Sequence, residues 1–434
     1  MSRASETLVE EAARHGADAE VWTVRQGIDE LVSRGGVIER HSEVTTGATA
    51  VTVWADGTEG YAVQNTPDST DTDLVATALG VGRALATPAK PPPLPPTAPD
   101  VPDGPLPYLD AVAAERIRRF SEADDDLEVE LRVRADRARV RLHRAGAAPA
   151  RYATGVVQVH ARLTARGDGI GYMGHQTYGR TVRDVLDTVE KKELPELRDL
   201  ARVLAERPVG ELAYDDLLVD GRVLVRLLTL VAPAFLLDSV LEGRSPLAGR
   251  TGERVAAAGV SLVDDPTADD SPLPVPWDGE GTPCGPTVLV EDGVLCGYLS
   301  ARRTAAEAGT AGTGSGQRGP SGEMSTVQPG HLRLRHTTDL GTEVRAGRTV
   351  LHVVQANGAH TSNPITGDFS IGANAVVVSP DGTRRNAGNI TLAGNVFDLL
   401  RHIDGHDGRT RVNRSNNAFV AGPGVWTTCL TTGR

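Results

Sequence analysis

The stretch Leu127–Leu142, LEVELRVRADRARVRL, alternates apolar and charged residues, strictly so over its first half. Successive side chains of a β-strand point to opposite faces of a sheet, so this alternation predicts a strand with one buried and one solvated face. Val156–Leu163 repeats the pattern more loosely and is predicted to pair with it in antiparallel orientation. The centre of the fold is therefore expected to be an antiparallel sheet with one wet face.

Outward from this pair, the pattern changes between helical and extended periodicity. Helices are predicted over residues 5–15, Thr72–Ala86 and Arg183–Glu206, and strands over Ala19–Val24 and Ala48–Trp54. After Pro208 a short strand precedes an apolar helix over Arg222–Leu241, and short β-runs separated by Gly, Pro and Asp turns follow. Val288–Leu299 predicts a hairpin, because Asp292-Gly293 readily adopts the positive φ angles of a tight turn.

These patterns predict an α+β fold of two domains. Residues 1–209 are expected to form an N-terminal α+β domain, and residues 210–434 a C-terminal, mainly antiparallel β domain. Residues 88–107 hold ten prolines in twenty positions, which predicts an extended strap within the first domain.

Composition excludes several classes of protein. The 434 residues are 39% apolar and carry a net charge of −12, which favours a folded chain and argues against a nucleic-acid partner. Three cysteines are too few for a secreted disulfide scaffold. The charged N-terminus lacks the apolar core of a signal peptide, and Arg226 and Asp238 interrupt the longest apolar run. We expect a cytoplasmic protein without a membrane partner.

Two motifs could indicate a binding site, but each also has a simpler structural interpretation. His402 and His406 have the i,i+4 spacing of a zinc pair, but Gly405 and Gly408 indicate a turn, so two solvent-facing histidines are favoured. The glycine-rich stretch 309–319 lacks the Gly-Lys-Ser/Thr ending of a phosphate-binding loop. A loop that approaches other backbone closely is therefore favoured over a phosphate cradle.

The three cysteines occupy different predicted environments. Cys296 is placed within the hairpin strand and Cys429 within a terminal strand, where small buried side chains serve packing. Cys284 lies in GTPCGP, a loop whose Pro and Gly neighbours fix an accessible conformation. A histidine beside such a thiol would lower its pKa and make it a nucleophile, so Cys284 is predicted to be the functional thiol and the first to react with iodoacetamide.

Several segments resemble the TldD/PmbA family in the family's own order. They are Ala17–Val21 (ADAEV), Leu262–Pro266 (LVDDP), Asp278–Gly281 (DGEG), Val288–Leu299, Ser362–Ser370 (SNPITGDFS) and Ile390–Leu400 (ITLAGNVFDLL). The resemblance implies the family's two-domain fold. In TldD-type members a helix of the C-terminal domain carries the zinc motif His-Glu-x-x-x-His. The corresponding segment here, Val223–Leu241, contains no His, Glu or Cys. The chain therefore resembles the zinc-less TldE (PmbA) branch, for which neither a metal nor another cofactor is expected.

Departures from the family pattern point to a repurposed site. The acidic loop of the family is replaced here by WDGEG (Trp277–Gly281), and a second family loop is replaced by GSGQR (Gly314–Arg318). The segment Pro329–His336 contains two histidines where the family typically has none. Family members in actinomycete natural-product clusters, including lincosamide clusters, are linked with joining a carrier-bound aminoacyl group to a thiosugar amine. The Ala/Arg/Gly-rich, Lys-poor composition is typical of such an organism.

Two functions follow from the resemblance. The first is a metal-independent acyltransferase that forms an amide from a carrier-protein thioester and an amino-sugar amine. Its predicted catalytic residues are Cys284 as nucleophile, His331 or His360 as base and Glu323 as orienting acid, and its substrate-binding residues are Asp278, Glu280 and Arg318. The alternative is a non-catalytic TldE-like subunit of a zinc protease. The first function predicts a carrier-protein partner, and the oligomer is expected to be a homodimer or a pair with a TldD-like chain.

Overall fold

The computed structural model describes residues 3–86, 89, 91, 105–341, 347–357, 362–415 and 418–433. The first half is built on a six-stranded antiparallel sheet with the strand order β3-β2-β1-β4-β5-β6. Its strands are β1 (Asp18–Arg34), β2 (Val37–Ala55), β3 (Thr58–Gln64), β4 (Leu127–Arg144), β5 (Ala150–Arg166) and β6 (Ile170–Gly179). The predicted pairing is confirmed, because β4 and β5 are antiparallel with Leu131 opposite Ala161.

Five helices pack on this sheet among the described residues. They are α1 (Arg3–Arg14), α2 (Asp73–Leu85), α3 (Ala111–Phe120), α4 (Val182–Thr188) and α5 (Leu194–Ala205), with a π-helical turn at Val189–Glu193 joining the last two. The predicted helices over 72–86 and 183–206 are thereby confirmed. The strap over 88–107 is described only at residues 89, 91 and 105–107, so the rest of that prediction lies outside the described residues.

Strand β4 buries different faces along its length. From Leu127 to Arg137 the odd-numbered residues are buried and most contact the helices, whereas from Val140 onward the even-numbered residues are buried. Val140 and Leu142 belong to the same cluster of buried side chains as Trp277, which lies in a loop of the second half. The change of face lets one sheet pack on its own helices and also hold that loop.

The described residues of the second half form two larger sheets and one short ladder. The first sheet has the order β10-β9-β8-β13-β19-β18, the second has the order β17-β20-β7-β14-β15-β16-β21, and β11 pairs with β12. The strands are β7 (Asp216–Val219), β8 (Val260–Asp264), β9 (Thr287–Glu291), β10 (Val294–Leu295), β11 (Gly316–Gln317), β12 (Thr326–Val327), β13 (His331–His336), β14 (Val350–Asn357), β15 (Asp368–Val378), β16 (Arg384–Asn395), β17 (Ile403–His406), β18 (Arg411–Ser415), β19 (Ala418–Gly422), β20 (Val425–Thr427) and β21 (Thr431–Gly433). The α+β fold class is confirmed.

The apolar helix of this half is shorter than predicted. Four helices are described here: α6 (Gly221–Val231), α7 (Leu237–Leu241), α8 (Arg302–Ala308) and α9 (Val396–Arg401). The expected single helix over 222–241 is interrupted by a 3₁₀ turn at Ala232–Phe235, because Pro233 has no N–H to donate and its ring clashes with the preceding turn. Helix α6 lies in a core shared by both larger sheets.

The hairpin prediction is confirmed at its turn but not at its end. Asp292 and Gly293 have φ values of 44° and 80°, as a tight β9–β10 turn requires. Strand β10 ends at Leu295, so Cys296 lies beyond it and is exposed, which corrects its predicted burial. Cys429 lies between β20 and β21 and is half-buried rather than within a strand.

Described helices include none with the length and apolar character needed to cross a membrane. The domain boundary near residue 210 stays a prediction.

Candidate functional site

The loop 276–284 forms a small hairpin that is anchored to the first sheet. The Asp278 N–H donates to Thr282 O at 2.9 Å, and the Cys284 N–H donates to Pro276 O at 3.0 Å. Trp277 is fully buried, with its ring edge-to-face against Tyr152 at 4.6 Å between centroids. The loop is thus held by backbone hydrogen bonds and by one aromatic anchor.

Asp278 holds this loop together from inside. Its side chain is 1% exposed and accepts backbone hydrogen bonds from Glu280 and Thr282 at 2.9 Å, and from Gly316 at 2.8 Å. Burial, with the nearby Glu280 charge, raises the pKa of Asp278 to about 7. Its carboxylate is buried and bonded to the chain's own backbone, which favours a structural role, and its substrate-binding role stays a prediction.

The glycine-rich loop approaches this hairpin closely, as the sequence predicted. A Cβ at Gly316 would lie within about 3 Å of the carboxylates of Asp278 and Glu280. At Gly314 it would meet the backbone of Pro283, and Gly314 also has a φ of 72°. Glycine is favoured at 314 because the two loops pack backbone to backbone there, and at 316 because buried side chains occupy the space of a Cβ.

Cys284 is half-buried at the contact between the 276–284 hairpin and the glycine-rich loop. Its thiol donates to Gly314 O at 3.3 Å. Burial, and then the charges of Asp278, Asp264 and Asp265, raise the pKa of the Cys284 thiol far above its ordinary value. The expected lowered pKa is therefore wrong: within the described part of the chain acidic groups surround the thiol, and no histidine is hydrogen-bonded to it.

His331, one of the two predicted bases, makes no hydrogen bond to the Cys284 thiol. His331 begins β13, is 1% exposed, and has no hydrogen-bond partner for either ring nitrogen among the described residues. Burial lowers the pKa of His331 to about 4. Its backbone N–H donates to Asp264 at 2.8 Å. His331 is therefore a buried strand residue with both ring nitrogens unpaired among the described residues. His360 lies outside the described residues.

Glu323 lies at a different place from His331. It is exposed, and its backbone oxygen accepts a long hydrogen bond of 3.5 Å from Arg318. Its carboxylate has no hydrogen bond to a histidine in the described chain. Among the described residues no hydrogen bond joins the Glu323 carboxylate to Cys284 or His331, and its orienting role stays a prediction.

Two of the predicted substrate-binding residues line the same cavity. Arg318 and Glu280 line a cavity of about 240 Å³ between the first sheet and the loops of the second half. Glu20 of β1, 2% exposed, accepts hydrogen bonds from Arg302 at 2.8 Å and from Arg318 at 3.3 Å. Glu280 accepts the Arg302 N–H at 2.8 Å. Neither Glu20 nor Arg302 is predicted as a site residue from the sequence. Glu20 did lie within the family-like segment ADAEV, which was the available signal.

The family model for the PmbA/TldA metallopeptidase C-terminal domain matches residues 214–431, just over half of the chain. The chain belongs to the TldD/PmbA family. The solved structure of TldE from Thermococcus kodakarensis superposes with a TM-score of 0.83 at 19% identity, covering 99% of this chain and all of that one. This agreement confirms the predicted fold.

Curated relatives match parts of the chain. An uncharacterized protein of Methanocaldococcus jannaschii is 30% identical over 234 residues, which is 54% of this chain and 55% of that protein. A metalloprotease of Archaeoglobus fulgidus is 31% identical over 169 residues, or 38% and 39% of the two chains. The chain thus matches about half or less of the length of these relatives.

The segment that corresponds, by the family resemblance, to the zinc motif of TldD-type members has no fitting ligands among the described residues. Helix α6 and the 3₁₀ turn after it present Leu, Val, Thr, Ala, Pro and Phe side chains around residues 227–235. Across the described residues, no group of three or more His, Cys, Asp or Glu side chains is placed to hold a metal ion. His402 and His406 do not form a pair, since His402 bonds Asp398 O and His406 accepts from the Gly408 N–H. These residues do not fit zinc.

Iodoacetamide at neutral pH is expected to label Cys296 before Cys284 and Cys429, which reverses the order predicted from sequence. Cys296 is exposed, whereas burial raises the pKa of both half-buried thiols and so lowers their thiolate fraction. Peptide mapping of the native protein measures the order, and labelling in urea should remove it. Fast labelling of Cys284 in a folded Cys296→Ser variant would contradict the structure.

Asp278 is expected to make the fold less stable as the pH rises from about 4 to about 7. Its folded-state pKa of about 7 exceeds the ordinary 3.8, so its stabilising contribution is complete at low pH and is lost through pH 7. The stability advantage of the parent over Asp278→Asn should shrink by about 1 kcal/mol per pH unit in this range. Urea titrations at several pH values measure this difference.

The parent must be compared with the variant because buried histidines change the free energy of unfolding in the opposite direction as the pH changes. The pKa values of His160 and His331 are lowered by burial to about 4, so they destabilise the fold as the pH falls. Asp269→Asn, at an exposed carboxyl, serves as the control and should show no such trend. A parent-to-variant difference for Asp278 that is constant with pH would refute the assignment.

Proposed function

We propose that this chain is a TldE-type subunit that assembles with a zinc-bearing TldD-type partner and does not itself hydrolyse peptides with a metal-bound water. The observation that carries the proposal is the apolar zinc position within a chain that has the TldE fold over 99% of its length. Leu227, Leu228, Val231 and Phe235 are at most 2% exposed there, so this position is part of the core.

The test compares the chain alone with the chain co-expressed with a TldD-type chain from the same source. Alone, it should hold no stoichiometric zinc after dialysis and should not cleave an unstructured peptide. Together, the two chains should co-elute and cleave the peptide, and zinc should follow the partner. One tightly bound zinc per chain in the isolated protein, with peptidase activity, would overturn the proposal.

We propose cysteine-mediated acyl transfer as a second candidate, because one acidic pair adjoins both Cys284 and His331. The backbone N–H of His331 donates to Asp264, and the Asp265 N–H donates to His331 O at 3.0 Å. The charges of Asp264 and Asp265 also act on the Cys284 thiol. The free ring nitrogens of His331 favour its use as the base.

In this reaction His331 would take the thiol proton as Cys284 sulfur attacks the thioester carbonyl carbon. A new carbon–sulfur bond forms, the bond to the carrier sulfur breaks, and the imidazolium returns the proton to the carrier thiolate. The amine of the amino sugar then attacks the acyl carbon and loses a proton to His331. The amide is released, and the Cys284 thiolate recovers that proton.

An aminoacyl thioester of N-acetylcysteamine tests this second candidate without a carrier protein. Intact-protein mass spectrometry should show one acyl group added, mapped to Cys284, with loss of the adduct in Cys284→Ala and retention in Cys296→Ala. A parent protein that forms no adduct and no amide, or a Cys284→Ala variant that keeps full turnover, would eliminate acyl transfer and leave the subunit proposal in place.

A further inference from the structure

A cleft of about 700 Å³ lies where the start of β6 and the end of α5 face the seven-stranded sheet. It is separate from the cavity around Glu280 and Arg318, with which it shares no lining residue. Its lining includes Asp168, Ile170, Tyr172, Arg207, Asn357 and Asn389.

Buried amide side chains hold the two walls of this cleft in place. Asn374 donates to Tyr172 O at 3.3 Å, and the Gly174 N–H donates to the Gln355 side chain at 3.2 Å. Asn386 donates to Leu204 O and to Glu206 O, at 2.9 and 2.8 Å. Gln355, Asn374 and Asn386 are each less than 10% exposed, so the walls are joined by buried hydrogen bonds.

Other polar groups of the cleft are available to a ligand. In the described chain the side chains of Asp168, Arg207 and Asn389 have no hydrogen bond or ion pair, and all three are exposed. Asn357 donates one long hydrogen bond, of 3.4 Å, to Asn374. Tyr172 is 38% exposed, which leaves part of its ring open to the cleft.

The chemistry of this lining favours a hydroxyl-rich ligand. A carboxamide both donates and accepts hydrogen bonds, as a hydroxyl group does, and the tyrosine ring offers an apolar face with a polar tip. Besides the Tyr172 ring, the apolar side chains of the lining are those of Ile170, Leu204 and Pro208, which offer little surface to the apolar side chains of a peptide. The volume falls within the roughly 300–1,000 Å³ of small-ligand sites.

We propose that this cleft binds a saccharide of one or two hexose units. The face of Tyr172 packs on the C–H face of a pyranose ring, and Asn357, Asn389 and Asp168 bond its hydroxyl groups. The site is independent of the subunit and acyl-transfer proposals, since it uses neither the zinc position nor Cys284.

Saturation-transfer NMR tests the proposal with D-glucose, D-galactose, N-acetyl-D-glucosamine and maltose as probes, and with the tripeptide Ala-Gly-Ala as the competing class. At least one sugar should receive saturation on its ring protons, and Tyr172→Ala and Asn389→Ala should each weaken its binding at least tenfold. Tyr108→Ala, at another exposed tyrosine outside the cleft, should bind as the parent does.

Circular dichroism and the melting temperature show whether the variants are folded. Folding is expected, because the substituted side chains are partly or fully exposed. Absence of transfer to all four sugars would overturn the proposal. Sugar binding that persists in both cleft variants would do so as well, and transfer to the tripeptide alone would assign the cleft to peptides instead.

Discussion

Replacing Leu228 with aspartate is expected to lower the free energy of unfolding by about 5 kcal/mol or more. Leu228 is 1% exposed on α6, in the core that both larger sheets of the second half share. The change removes a packed side chain and places a carboxylate where it has no partner. Urea denaturation followed by circular dichroism measures the loss, and the expected outcome includes poor recovery of folded protein.

Leu241→Asp is the matched control for this substitution. Leu241 lies on α7 and is 41% exposed, so the same chemical change should cost less than about 1 kcal/mol. If Leu228→Asp melted like the parent, α6 would be peripheral, and the shared core described here would be incorrect.

Replacing Arg222 with methionine is expected to destabilise the fold by about 3–5 kcal/mol, because it leaves the buried Asp220 carboxylate without its guanidinium partner. Glu193 and Glu196 keep their ion pairs with Arg411, at 2.6 Å each. Arg222 bonds Asp220 at 3.1 Å and Glu196 at 3.0 Å, with Glu193 at 3.5 Å. Its side chain is 5% exposed and that of Asp220 is 3% exposed. Although burial opposes it, Arg222 holds the pKa of Asp220 far below its usual range.

Arg409→Met supplies the control within the same ion-pair network. Arg409 lies 3.7 Å from Glu196 but is 50% exposed, so its removal should cost less than about 1 kcal/mol. Equal losses for Arg222→Met and Arg409→Met would show that solvent screens the network throughout. Because the pKa values of Asp220 and Glu196 are lowered, the parent's advantage over Arg222→Met should decline as the pH falls through their folded-state pKa values.

The family and the fold class were predictable because both depend on local patterns. The alternation from Leu127 predicts β4, and Asp292-Gly293 predicts the β9–β10 turn. The string Ser362–Ser370 carries the family resemblance. Where local rules conflicted, the prediction failed: α6 was extended through Pro233, although a proline inside a helix removes a hydrogen bond and clashes with the preceding turn.

The candidate site was less predictable because its residues are far apart in the chain. Arg302 and Arg318 bond Glu20 across 282 and 298 residues. No spacing rule operates over such a separation, so the sequence placed Arg318 in the site but missed Arg302.

The amino-acid sequence by itself determined the strand and turn pattern, the family, and the lack of zinc-ligating side chains along α6. Those properties depend on residue type and on neighbours within a few positions, where sterics and side-chain chemistry act directly. The tertiary structure alone decided which cysteine is exposed and that the pKa of Cys284 is raised rather than lowered. Burial and the charges of Asp264, Asp265 and Asp278 set that pKa, and only folding brings them around the thiol.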